Sequence, residues 1–238
     1  MKQIQVNPVF VKTRNVRNFE VMMDGLEMAA GEGRLGLVYG RAGRGKTRTS
    51  QWYHAQQGGV YMRAVTIWNT SPTDFLRKLC RELGCVVPPK RKGPAFEEAV
   101  ELLISRQLPV FIDEIEKLPT LFLDLVRDLS DLSATPFVLV GEEELVTVMK
   151  RNRRVWSRTY QHVEFKPIDV GDVLIYTKQA TGLNLDPKVA SIFHQSSDGD
   201  FRIVRRDILA LVQYANAKGT TEISQDMAKA ATRAGLHG

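Results

Sequence analysis

Residues Gly40 to Thr47 read Gly-Arg-Ala-Gly-Arg-Gly-Lys-Thr, and no other stretch constrains this chain as tightly. The octapeptide fits G-x-x-x-x-G-K-[ST] and sits where that pattern has physical meaning. A short apolar run, Leu-Gly-Leu-Val-Tyr at 35–39, precedes it, and a segment of helical character, Thr-Arg-Thr-Ser-Gln-Trp-Tyr-His-Ala-Gln, follows. A Gly/Arg turn matching by accident in a chain of this length is on the order of one per cent. Gly40, Gly43 and Gly45 let the backbone curl so that successive N–H groups point at phosphate oxygens. The helix that follows adds its positive dipole end. Lys46 should reach the β- and γ-phosphates of ATP, and the Thr47 hydroxyl should ligate Mg²⁺. The expected nucleotide site is Gly40, Arg41, Ala42, Gly43, Arg44, Gly45, Lys46, Thr47 and Arg48.

Around this loop, short apolar runs alternate with longer amphipathic segments, the rhythm of a parallel sheet covered by helices. Strands are predicted at 35–39, 60–65, 110–112, 137–140 and 160–165, with helices at 73–83, 95–104, 121–132 and 142–150. The three prolines and three cations of 86–94 predict a loop. After Pro167 strands give way to four helical segments, 169–181, 187–195, 202–218 and 224–234. The expectation is an α/β fold, a five-stranded parallel sheet flanked by helices over 1–167, followed by a small all-α lid over 168–238.

A phosphate loop needs a carboxylate brought to the metal by a second strand. Leu-Pro-Val-Phe-Ile-Asp-Glu at 108–114 supplies one: Asp113 for the Mg²⁺ shell and Glu114 to orient and deprotonate the attacking water. The plain alternative is a strand ending in solvated acids, which the loop upstream disfavours. The pair points to ATP hydrolysis.

Taken in order, the phosphate loop, the Asp-Glu strand, a further strand, the basic cluster Arg-Asn-Arg-Arg at 151–154 and the helical tail resemble the AAA+ ATPases. That resemblance implies a polar sensor at the end of the fourth strand, where this chain has Gly141-Glu142, a departure from the usual Asn, Ser or Thr. It implies an arginine acting on a neighbour's nucleotide, for which Arg158 is the first candidate and Arg154 the second. It also implies a lid arginine, Arg202 in Gly199-Asp200-Phe201-Arg202, aimed at the γ-phosphate.

Thr13-Arg14-Asn15-Val16-Arg17, Val60-Tyr61-Met62-Arg63-Ala64 and Val138-Leu139-Val140-Gly141-Glu142-Glu143-Glu144-Leu145 resemble the bacterial and phage transposition ATPases, the Mu B group. The resemblance implies ATP binding, assembly as a homo-oligomeric filament or ring on non-specific double-stranded DNA, and delivery of that DNA to a transposase. Only about 39 residues precede Gly40, too few for the first core helix together with the extra N-terminal helical DNA-binding region that the Mu member of the group carries, so any DNA contact is expected from the ATPase core. The candidates are Arg63, Trp68 and Asn69 after the second strand and the Lys90-Arg91-Lys92 loop tip. For Trp68 the alternative is core packing, and for the Lys-Arg-Lys run a solvated loop.

Composition sets the outer bounds. The net charge of +6 lies wholly within the first 167 residues, because the remainder holds eight acids and eight bases. Such an excess suits a polyanionic partner. No apolar stretch is long enough for a membrane helix and the N-terminus lacks a secretory pattern, so a cytoplasmic protein is expected. Cys80 and Cys85 can make neither a disulfide framework nor a four-ligand zinc site, and Cys and His spacing suggests no metal besides Mg²⁺. Two other readings stay open: an adaptor or loader ATPase working on a protein machine, such as a helicase loader or a secretion-associated ATPase, and a nucleotide-binding switch with negligible turnover.

Overall fold

The computed structural model describes residues 3–29 and 34–235, which form two compact units. Among these described residues, one unit comprises 18–29, 34–41 and Lys46–Phe165; the other comprises 3–17, Ala42–Gly45 and 166–235.

The first unit is built on five parallel strands, β1 (Leu35–Tyr39), β2 (Val60–Arg63), β3 (Val110–Asp113), β4 (Phe137–Val140) and β5 (Thr159–Glu164), in the order β2-β3-β4-β1-β5. The three central strands are apolar on both faces because helices cover both. Alternation sorts their side chains. Leu35, Leu37, Val60, Met62, Val110, Ile112, Phe137 and Leu139 enter one core, while Val38, Phe111, Val138 and Val140 enter the other.

The first of these cores is closed by α3 (Pro72–Glu82), α4 (Lys92–Arg106) and α5 (Leu121–Ser133). Helix α4 begins at Lys92, inside the expected loop, because Gly93 and Pro94 fall in its first turn, where proline's missing N–H would have no helical partner anyway. The other core is closed by α1 (Arg14–Met28) and α2 (Lys46–Gln57). Phe19, Met22, Met23 and Leu26 form the buried stripe of α1, and Phe19 meets Tyr53, Phe111 and Phe165 at ring distances of 5.5–6.4 Å. Gly36 lets α1 approach: a Cβ there would lie 2.6 Å from Cδ1 of Leu26. Helices α6 (Glu144–Arg151) and α7 (Arg153–Trp156) lead into β5.

The second unit holds α8 (Val170–Thr181), α9 (Pro187–Ser197), α10 (Phe201–Lys218) and α11 (Gln225–Gly235). Local chemistry sets their limits. Asp169 and Asp172 form a reciprocal capping box, Asp186 caps α9 ahead of Pro187, and Gly182 and Gly219 end α8 and α10 in left-handed conformations. The N-terminal arm belongs here rather than with the sheet, a grouping that the division at 167 does not capture. Ile4, Val6, Val9 and Val11 pack on the helical core, the Asn216 amide pairs with both backbone groups of Ile4 (2.8 and 2.9 Å), and Asn15 pairs with both backbone groups of Lys166 (2.8 and 3.1 Å). Among the described residues no helix is long and apolar enough to cross a membrane.

Candidate functional site: the phosphate loop and the acidic strand

The strand register brings the chemistry to one edge. Val38, Val140, Asp113 and Arg63 stand in a single row at the carboxyl ends of β1, β4, β3 and β2, the end of an open parallel sheet where ligands bind.

The loop leaves β1 through Gly40, whose φ of +141° and close approach to the Phe165 carbonyl exclude a side chain; a Cβ there would lie 2.5 Å from that oxygen. Gly43 and Gly45 also have positive φ, +80° and +97°. Lys46, 9% exposed, opens α2, and its ammonium donates to the carbonyls of Gly40 (2.5 Å) and Arg41 (3.0 Å). Thr47, one residue on, donates its hydroxyl proton to Oδ2 of Asp113 at 2.7 Å. That donation leaves the hydroxyl lone pairs for a cation, and a hydroxyl beside a buried carboxylate is the donor set a hard cation shares with substrate phosphates. The residues present therefore fit magnesium held with a nucleotide. Arg41 and Arg48 are exposed on either side of the loop.

Asp113 is 2% exposed and accepts three hydrogen bonds. Its Oδ2 accepts from Thr47 and from the phenol of Tyr61, both at 2.7 Å, and its Oδ1 accepts the Glu114 N–H at 3.0 Å. Burial, and then the hydrogen bond to Asp113, push the Tyr61 phenol well above its ordinary pKa, so it remains a donor. Glu114 sits in a left-handed conformation, φ 57°, at the start of a short turn over Ile115–Lys117. Its carboxylate is held by Arg63, Nε to Oε2 at 2.9 Å and Nη2 to Oε1 at 2.5 Å, and by Lys117. The Arg63 hydrogen bonds, with Lys117 adding to them and partial burial opposing, lower its pKa to about 2. Glu116 is shifted upward, by burial first and then by Glu142, Asp113 and Glu114, and its carboxyl lies against Gly141, where any side chain on that residue would collide with it. Glu142, at the sensor position, is exposed just ahead of α6.

Residues 42–45 pack with the helical unit. The Arg44 guanidinium, 5% exposed, donates to the backbone carbonyl of Asp198 at 2.5 Å and lies 3.4 Å from its carboxylate, at the carboxyl end of α9 where a cation opposes the helix dipole. The Phe201 N–H donates to the Gly43 carbonyl at 3.1 Å, and the Asp200 carboxylate occupies the space a side chain on Gly43 would need. Asp200 caps α10 by accepting the Arg202 N–H at 2.7 Å, and the Arg202 side chain is exposed.

The arginines before β5 separate into two environments. Arg158 is tied down: Nε donates to both oxygens of Asp131 at 3.1 and 3.0 Å, and its carbonyl accepts the Leu35 N–H. Arg151, Arg153 and Arg154 are exposed and, with Thr120, Asp124, Val148 and Asn152, line an open cavity of about 660 Å³. Of the expected DNA contacts, Lys90, Arg91 and Lys92 are exposed at the start of α4. Trp68 is buried edge-on against Phe75 at 5.5 Å, and Arg63 is engaged by Glu114. Tyr61 and Lys117 were not singled out in the sequence. The signal for Tyr61 was its two-residue spacing from Arg63, which puts both on one face of β2.

A family model described as an AAA domain matches residues 29–149, half of the chain. The chain belongs to the AAA domain family. The DNA transposition protein B of a Mu-like prophage of Haemophilus influenzae is 26% identical over 232 residues, covering 92% of this chain and 76% of that protein. The ATP-dependent target DNA activator B of Escherichia phage D108 is 30% identical over 147 residues, 62% of this AAA chain but only 46% of the D108 protein. Among solved structures, the ORC2 protein of Aeropyrum pernix, in ADPNP and ADP complexes, superposes with a TM-score of 0.64 at 16% identity, over 97% of this chain and 69% of that one. At that identity the likeness speaks for the fold alone. It agrees with the parallel five-stranded sheet flanked by helices that the sequence leads one to expect.

Proposed function

We propose that this AAA domain protein is an ATPase that binds double-stranded DNA in its ATP-bound, self-associated form and presents that DNA to a transposase. The observation that carries the reading is the convergence of Thr47 on Asp113 at 2.7 Å beside a glycine loop with Lys46 at its end, in a chain similar to two phage-type transposition proteins. In this account Lys46 gives up its loop carbonyls to neutralise the β- and γ-phosphates, and Thr47 and Asp113 hold the cation. Magnesium, when bound, supplies the positive charge that steadies the leaving phosphate oxygens. Glu114 orients the attacking water and takes its proton once Arg63 and Lys117 release it. Arg202 contributes a guanidinium to the γ-phosphate of its own chain. Arg154 or Arg158 contributes one to the nucleotide of a neighbouring copy. The exposed cations at Lys90, Arg91 and Lys92 contact DNA phosphates without sequence preference.

A gel-shift titration with duplex DNA of unrelated sequences, with and without ATP at near-physiological salt, tests the proposal. ATP is expected to bring binding below about 1 µM, tighter than ordinary non-specific association, and Lys46→Ala to remove that gain. Absence of DNA binding, or binding indifferent to ATP, would overturn it and favour an adaptor acting on a protein machine.

A further inference from the structure

Asp113 is oriented by more than its neighbour in the phosphate loop. Tyr61, on the adjoining strand β2, directs its phenol proton to the same carboxylate oxygen, Oδ2, that accepts the Thr47 hydroxyl, and both distances are 2.7 Å. The other oxygen accepts the Glu114 N–H at 3.0 Å. A carboxylate offers about four lone-pair positions. Two donors saturate Oδ2 and one occupies half of Oδ1, so a single position on Oδ1 is left. Tyr61, Asp113 and Thr47 thus form one connected set of hydrogen bonds across β2, β3 and α2.

We propose that Tyr61 is a positioning residue for the cation: its phenol fixes the Asp113 carboxylate so that Thr47 keeps its lone pairs, and Oδ1 keeps one, for magnesium or a magnesium-bound water. Without the phenol, Oδ2 has a free lone pair, and the carboxylate can rotate toward another donor and carry the Thr47 hydroxyl with it. Partners of this kind tune metal affinity while touching neither metal nor substrate. The inference rests on the nucleotide-site reading above.

The test is calorimetry with a non-hydrolysable ATP analogue on the full chain, with Mg²⁺ and then with EDTA, for the wild type and Tyr61→Phe. The expected result is equal affinity in EDTA and a magnesium-dependent gain that is about three- to tenfold smaller in the variant. A variant that keeps the whole magnesium gain overturns the proposal. So does one that loses affinity equally in both buffers, since the phenol would then be holding the loop rather than the cation. A wild type that binds no analogue in either buffer defeats the nucleotide-site reading itself. If Tyr61→Phe fails to fold, Tyr61→Met, which also removes the phenol while filling its space with a flexible apolar side chain, is read by the same comparison.

Discussion

Arg63 grips Glu114 with two prongs of its guanidinium, at 2.9 and 2.5 Å, and Lys117 holds the same carboxylate from its own turn. A carboxylate whose pKa is lowered to about 2 has little affinity for a proton, whereas an effective general base works nearer the ambient pH. Arg63→Ala is therefore expected to raise DNA-free ATP hydrolysis by about three- to tenfold, measured as phosphate release. A fall in turnover would mean that Arg63 presents Glu114 to the water instead of restraining it.

The same pair sets a pH dependence. Glu114 is depressed from an ordinary value of 4.5 to about 2, so the stability the pair contributes is complete above pH 4.5 and is lost as pH falls toward 2. Denaturant titrations of the wild type and Arg63→Ala should show a constant stability difference from pH 7 down to about pH 5 that closes between about pH 4.5 and pH 2. Because Arg63 is largely exposed, added salt should shrink it. A difference that widens on acidification would contradict the assignment.

Gly40→Ala tests the loop's geometry. The φ of +141° is unfavourable for any side chain, and the Cβ would press on the Phe165 carbonyl, so a loss of about 1–3 kcal/mol is expected in thermal or denaturant unfolding. Gly45→Ala, strained in φ but open in space, should cost less. Equal costs would show that the Phe165 contact is immaterial.

The arginines before β5 can be told apart by stability. Arg158→Ala breaks the contact to both Asp131 oxygens and should lower stability by about 1 kcal/mol, whereas Arg154→Ala, exposed at the cavity, should leave it unchanged. If Arg154 serves a neighbour's nucleotide, Arg154→Ala alone is inactive. Mixing it with Lys46→Ala then restores phosphate release, because one interface in the mixture joins an intact loop to an intact arginine. No recovery on mixing, with recovery when Arg158→Ala is used instead, would move the role to Arg158.

Strands β1 to β4 were readable as short, largely apolar runs bounded by turn signals and β5 by its alternation, and the loop was readable because its glycines meet a backbone requirement that few other residues can meet. The capped lid helices were legible for the same local reason. What escaped depends on contacts remote in sequence. Residues 3–13 carry no regular period, and their place with the helices is fixed by Asn216, more than two hundred residues away. Arg63 looked like a solvent-facing cation suited to DNA until the β2-β3 register placed it level with Asp113. Arg44, in a variable position of the loop motif, has its partner at the end of α9.

The central claim is that Lys46, Thr47 and Asp113 together hold a magnesium triphosphate. Calorimetric titration of the wild type with a non-hydrolysable ATP analogue and Mg²⁺, beside Lys46→Ala and Asp113→Asn, addresses it most directly. Saturable binding by the wild type, weakened at least about tenfold in Lys46→Ala and stripped of its magnesium dependence in Asp113→Asn, is the expected result. Binding of equal strength in all three proteins, or none in the wild type, would contradict it.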